Sequence, residues 1–127
     1  MDHLHPDWAI ALAAAANGER RMQEFNRRFG HHLVWIPWQQ PGFELGMMMM
    51  NAIATNAKCD GLVLGGHGLF SWGETSERCY GNTLELVDQL GQFVQGFVGQ
   101  MDDLIFGGAV HCLHNLPLLF FKPSPGT

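Results

Sequence analysis

The stretch Gly61-Leu62-Val63-Leu64-Gly65-Gly66-His67-Gly68-Leu69-Phe70-Ser71-Trp72-Gly73 constrains this chain most. Leu62, Val63 and Leu64 run without polar alternation, which reads as a short strand buried on both faces, since a strand with one wet face alternates. The strand breaks at Gly65-Gly66, and Leu69 to Trp72 reads as the next strand, so His67 falls in the turn between them.

The rest of the chain reads as helices with one further strand. Pro6 and Asp7 suit a first helical turn, and Trp8 to Ala16 has high helix propensity until Asn17-Gly18 stops it. The alanines are expected to form a close-packing face. Glu19 to Arg28 reads as a second helix closed by Gly30, with its charges expected on a wet surface. Leu33 to Ile36 reads as a strand ended by Pro37, and Pro41-Gly42 as a turn. Phe43 to Ala57 places Leu45, Met48, Met49, Ala52 and Ile53 at helical spacing, so at least two of the four consecutive methionines should face a core. A long helix is expected from Glu74 to about Met101, with an apolar stripe through Leu86, Leu90, Phe93, Val94, Phe97 and Met101. Strands alternating with helices in this way specify an α/β domain.

Composition narrows the function classes. The chain has 127 residues, 46% of them hydrophobic, which suits one globular domain with a core of its own. Seven basic residues against twelve acidic ones give a charge of −5, so the broad positive footprint of a nucleic-acid binder is missing. Cys59, Cys79 and Cys112 are odd in number and form no CxxC pair, which fits a reducing cytoplasmic compartment better than a disulfide framework. No signal peptide is visible. Leu104 to Phe121 has about the length of a membrane span, but His111, His114, Asn115 and Pro117 interrupt it, and no membrane association is expected.

The chemistry-bearing residues are histidines. His3 and His5 are one residue apart, so in an extended segment both imidazoles project from the same side. His67 sits among glycines, where the missing side chains let a ligand or another backbone come close. Three neutral imidazoles suit Zn²⁺ or another divalent metal, and three protein ligands leave a position open for substrate. His-x-His pairs also arise by chance, and a turn histidine can simply be hydrogen bonded; spacing by itself leaves both readings open. His111-Cys112-Leu113-His114 could hold a metal if helical, with a structural reading preferred. His31 and His32 look like loop residues. The cysteines have no activating neighbour apart from Arg78 beside Cys79, so structural thiols are expected.

Taken in order, Asp2-His3-Leu4-His5-Pro6-Asp7 with its alanine-rich helix, Pro37-Trp38-Gln39-Gln40-Pro41-Gly42-Phe43-Glu44-Leu45-Gly46, and the Gly61–Gly73 stretch resemble the class II aldolase/adducin family. More narrowly they resemble the aldolase part of bifunctional rhamnulose-1-phosphate aldolase/short-chain dehydrogenases. The resemblance runs from about Asp2 to about Val98. It implies a three-layer α/β/α fold and metal ligands at His3, His5 and His67. It also implies retro-aldol cleavage of a ketose 1-phosphate such as L-rhamnulose 1-phosphate to dihydroxyacetone phosphate and L-lactaldehyde, in a homo-oligomer. The ion would act as a Lewis acid on the oxygens of a small phosphorylated sugar.

The departures from the family are equally specific. The family's catalytic glutamate and phosphate-binding loops precede the His-x-His segment, where this chain has Met1 and Asp2. The expectation is therefore an N-terminally truncated domain over residues 1–103, followed by a tail of uncertain structure over 104–127, with no catalytic residue assigned. Glu44 and Glu74 are expected to be helix-start charges rather than substitutes for that base. The family's acid tyrosine belongs to a later segment, and Tyr80 is expected to pack. No GxGxxG follows a strand, so a dehydrogenase domain is not present in these residues. The alternative function is a non-catalytic metal-binding or assembly fragment of the same fold.

Overall fold

The computed structural model describes residues 1–96. Eight elements follow in order: β1 (Asp2–Leu4), α1 (Asp7–Ala14), α2 (Gly18–Phe29), β2 (Leu33–Ile36), α3 (Phe43–Thr55), β3 (Gly61–Leu64), β4 (Gly68–Ser71) and α4 (Ser76–Gln95). The strands form one sheet in the order β1-β4-β3-β2. β2 and β3 are parallel, joined through α3, whereas β3–β4 and β4–β1 are antiparallel.

Strand alternation divides the interior into two apolar layers. Leu33, Val63 and Leu69 point to one face, where they pack with Leu12, Phe25, Leu86 and Phe93 of α1, α2 and α4. Ile36, Leu62 and Leu64 point to the other, where Leu45, Met48, Met49 and Ile53 of α3 cover them. Val63 is completely buried, as is Leu62 beside it, so β3 is covered on both faces as its unbroken apolar run demands. The result is the three-layer α/β/α arrangement that the family resemblance implied.

The alanine run is a packing face: Ala9, Ala11 and Ala13 are buried in the layer that includes α4. Two expectations are corrected. The charges of α2 are not all on a wet surface, because Arg21 is buried and its guanidinium pairs with Glu24 at 2.9 Å. The last helix starts at Ser76, not Glu74, because the Thr75 side chain accepts a hydrogen bond from the Arg78 backbone N–H and so caps it. Glu74 lies before the cap and makes an exposed contact with Arg78 at 3.9 Å. The expected continuation of α4 through Phe97 to Met101, the tail 104–127 and the His111–His114 cluster lie outside the described residues.

Candidate metal centre

β1 is an edge strand paired through His3 to Phe70, and this pairing brings the two ends of the sequence motif together. Alternation along β1 sends Asp2 towards α4, where its carboxylate accepts a hydrogen bond from Thr83 at 2.9 Å. His3 therefore projects from the opposite face, stacked on Phe70 with ring centroids 4.1 Å apart. His5 follows just beyond the strand. His67 arrives from the β3–β4 turn, whose backbone needs Gly66 in the left-handed region at φ +67°. Trp38, exposed on the connection after β2, lies against Gly66. Gly68 answers the question raised by its neighbours in sequence: a Cβ there would stand 2.6 Å from the His5 ring and 2.7 Å from the Leu4 carbonyl oxygen. Only a hydrogen at this position lets β1 close onto β4.

Three ring nitrogens converge as a result. His3 Nε2 lies 3.1 Å from His5 Nε2 and 3.2 Å from His67 Nε2, and all three ligand atoms fall within 4.8 Å of one another. His3 Nδ1 donates to the Leu69 carbonyl at 3.0 Å, which fixes the tautomer and turns the Nε2 lone pair towards the other two rings. Adjacent nitrogens on a tetrahedral ion with bonds of 2.0–2.1 Å would stand about 3.3 Å apart. The two separations from His3 fit that spacing, and the third pair, His5 and His67, lies within 4.8 Å. A lone pair facing two further imidazole nitrogens is an unfavourable arrangement unless a proton or cation is shared among them, so the donor set itself suits a divalent metal. His67 is half-buried and its pKa is pushed below the usual histidine value, by burial first and then by the nearby His3 and His5. The neutral, ligating form is favoured accordingly.

No carboxylate or thiol joins the three histidines among the described residues. Glu44 lies in the first turn of α3 as expected. Tyr80 is exposed on α4 rather than packed, because the α4 surface beside β1 is left open. Cys59 and Cys79 are free thiols; burial pushes the Cys59 thiol above its usual pKa, and its sulfur donates to the Gly61 carbonyl at 3.2 Å. Sequence reasoning missed what His31 does. Its two ring nitrogens lie 2.8 Å from the Asp60 carboxylate and 2.6 Å from the Gln89 amide oxygen, joining the α2–β2 loop to the residue before β3 and to α4. Nothing in local sequence pairs residues 29 and 58 positions apart.

The described residues form a mixed three-layer α/β domain with three histidines converging at one edge of its sheet. The chain is a member of the Class II Aldolase and Adducin N-terminal domain family, whose model matches residues 1–93. It is 34% identical over 108 residues to the uncharacterized oxidoreductase YuxG of Bacillus subtilis (strain 168), covering 85% of this chain and 15% of that protein. The N-terminal class II aldolase domain of a conserved protein from Thermoplasma acidophilum superposes with a TM-score of 0.60 at 26% identity, over 72% of this chain and 40% of that one. An aldolase II superfamily protein from Pseudomonas syringae shares the fold, with a TM-score of 0.60 at 15% identity over 98% of this chain and 48% of that one. The chain thus spans less than half of each of these relatives.

Proposed function

We propose that this chain is the metal-binding part of an aldolase-type lyase that cleaves a ketose 1-phosphate, of the L-rhamnulose 1-phosphate kind, to dihydroxyacetone phosphate and L-lactaldehyde. The observation that carries the proposal is the convergence of His3, His5 and His67 Nε2 atoms on one solvent-open point. A divalent ion such as Zn²⁺ held there supplies Lewis acidity to the carbonyl and hydroxyl oxygens of the sugar. Three neutral ligands leave that charge undiminished. The chain's own contribution is positional: the Leu69 carbonyl and the Phe70 ring hold His3, and the glycine turn presents His67. The matched protein of Bacillus subtilis carries the word oxidoreductase in its name and extends far beyond the match, which supports the narrower reading of an aldolase part beside a dehydrogenase.

One observation favours a second reading, a metal-binding or assembly module without chemistry of its own: among the described residues no carboxylate stands with the histidines to move a proton. The homo-oligomer remains part of the proposal, supported by Phe43, Met47 and Met50, which lie at helical spacing along α3 and are all exposed. A cytoplasmic setting is supported by the free Cys59 and Cys79. No helix among the described residues is long and apolar enough to cross a membrane.

Elemental analysis of the purified chain tests the site. One divalent ion per chain is expected, lost in His67→Ala with an unchanged circular dichroism spectrum; absence of stoichiometric metal from the wild type sinks the proposal. Cobalt substitution then separates the two readings. Dihydroxyacetone phosphate should shift the visible spectrum of the cobalt form if the site handles such a sugar phosphate, and a silent spectrum leaves the assembly module. A reductase-coupled assay on residues 1–127 by themselves is expected to show no robust turnover of L-rhamnulose 1-phosphate.

A further inference from the structure

A second cleft, of about 570 Å³, opens between α2 and the α3–β3 connection. It lies at the start of β3, beside Cys59, whereas His67 follows the end of that strand, so the cleft and the histidine centre sit at opposite ends of β3. Its lining includes Gln23, Arg27, His32, Asn56 and Lys58, with no carboxylate among the lining residues. In a chain with twelve acidic residues and seven basic ones, a cleft bordered by two of the bases and no acid is a local reversal of sign.

The charges are also uncommitted. Neither Arg27 nor Lys58 enters an ion pair among the described residues, and the His32 ring has no hydrogen-bond partner there. Asp60, the nearest carboxylate in sequence, is occupied: His31 Nδ1 reaches one of its oxygens at 2.8 Å and the His32 backbone N–H the other at 2.9 Å. That engages both oxygens of the acid with two residues of the cleft wall, while Arg27 and Lys58 border the same cleft. Arginine and lysine bordering one cleft with an imidazole and side-chain amides supply the usual complement of a phosphate group, one planar fork and one point charge with further donors at the rim.

We propose that this cleft is a second binding site, for a small phosphate-bearing anion, held by Arg27, His32 and Lys58 and separate from the histidine centre. Its volume admits a small molecule. Binding there stabilises the chain by mass action and bears on α4, because His31 in the cleft wall is hydrogen bonded to Gln89.

The test is a titration of the purified 127-residue chain with inorganic phosphate, followed by amide and side-chain NMR at constant ionic strength set with chloride. Saturable shifts are expected for Arg27, His32 and Lys58, with His3, His5 and His67 unmoved. Arg27→Gln and Lys58→Gln should each weaken the response about tenfold, the step expected for one lost charged hydrogen bond of roughly 1.5 kcal/mol. Lys58→Arg should retain it. Both residues are exposed, and the wild-type titration stands without the variants if either fails to fold. Shifts reproduced by chloride, shifts confined to the three histidines, or no shift up to tens of millimolar phosphate would each overturn the proposal; the last two leave the metal centre untouched as a reading.

Discussion

The His3 imidazole lies flat on the Phe70 ring, with planes 14° apart and centroids separated by 4.1 Å. The ring that pairs with it across the β1–β4 ladder is therefore also the surface that orients it. Removing that surface frees the imidazole about the bond that must stay fixed for ligation. Phe70→Ala is expected to weaken Zn²⁺ binding about tenfold, the low end for residues that orient a ligand, measured by competition with a chromogenic chelator. Phe70→Leu, which keeps apolar bulk, should lose less; equal affinity for wild type and Phe70→Ala would show that the stacking orients nothing.

Gly68 allows a sharper test of closure. Its missing Cβ is where the Leu4 backbone oxygen and the His5 ring already stand. Because a backbone atom cannot swing aside, Gly68→Ala should push β1 off β4, lowering metal affinity by more than Phe70→Ala does. Crystal structures or amide exchange of the variant should show loss of the Asp2–Leu4 pairing, and an intact ladder with normal affinity contradicts the argument.

A buried hydroxyl relay ties the same strand to the helical layer. Ser71 Oγ lies 2.6 Å from Thr83 Oγ1, and Thr83 reaches the Asp2 carboxylate at 2.9 Å and the Cys79 carbonyl at 2.8 Å. With Ser71 donating, Thr83 has one proton for its two acceptors. Thr83→Val keeps the shape and removes the relay, leaving Ser71 and Asp2 without their partner. The expected loss is about 1–3 kcal/mol of unfolding free energy, read from urea denaturation, together with weaker metal binding through β1.

Acid should affect the metal-free fold through His67. Its folded pKa lies below the unfolded value of 6.5, so the unfolded chain binds more protons in the interval between the two. The group's contribution is fully present above 6.5 and is lost as pH falls through that interval to the folded pKa. Metal binding, which needs the neutral ring, should weaken over the same range. A histidine NMR titration of the metal-free chain should place His67 below 6.5. A midpoint above 6.5 contradicts the assignment of burial and like charge as its causes.

Much of the fold is legible in the sequence. The unbroken run Leu62-Val63-Leu64 marked a buried strand, and Val63 and Leu62 bury into one layer each. Helix boundaries moved by a few residues where a side-chain cap intervened, as Thr75 does ahead of α4. The candidate metal ligands were named by the family resemblance, since His-x-His and a glycine-flanked histidine by residue type alone left a chance or turn reading open. Their partners were not. Arg21 became buried beside Glu24, His31 found Asp60 and Gln89, and Thr83 found Asp2, all through contacts that depend on how layers stack.

The sequence by itself offered His3, His5 and His67 as candidate metal ligands, through side-chain chemistry and the family resemblance, and marked β3 as a buried strand through its period. Only the tertiary structure decided that His3 and His67, 64 residues apart, share one point in space. It also decided that the cations Arg27 and Lys58 border a cleft at the far end of β3. The physical reason is that register between strands and docking between layers are set by the whole core at once, by fits such as β1 against Gly68 that no local window contains.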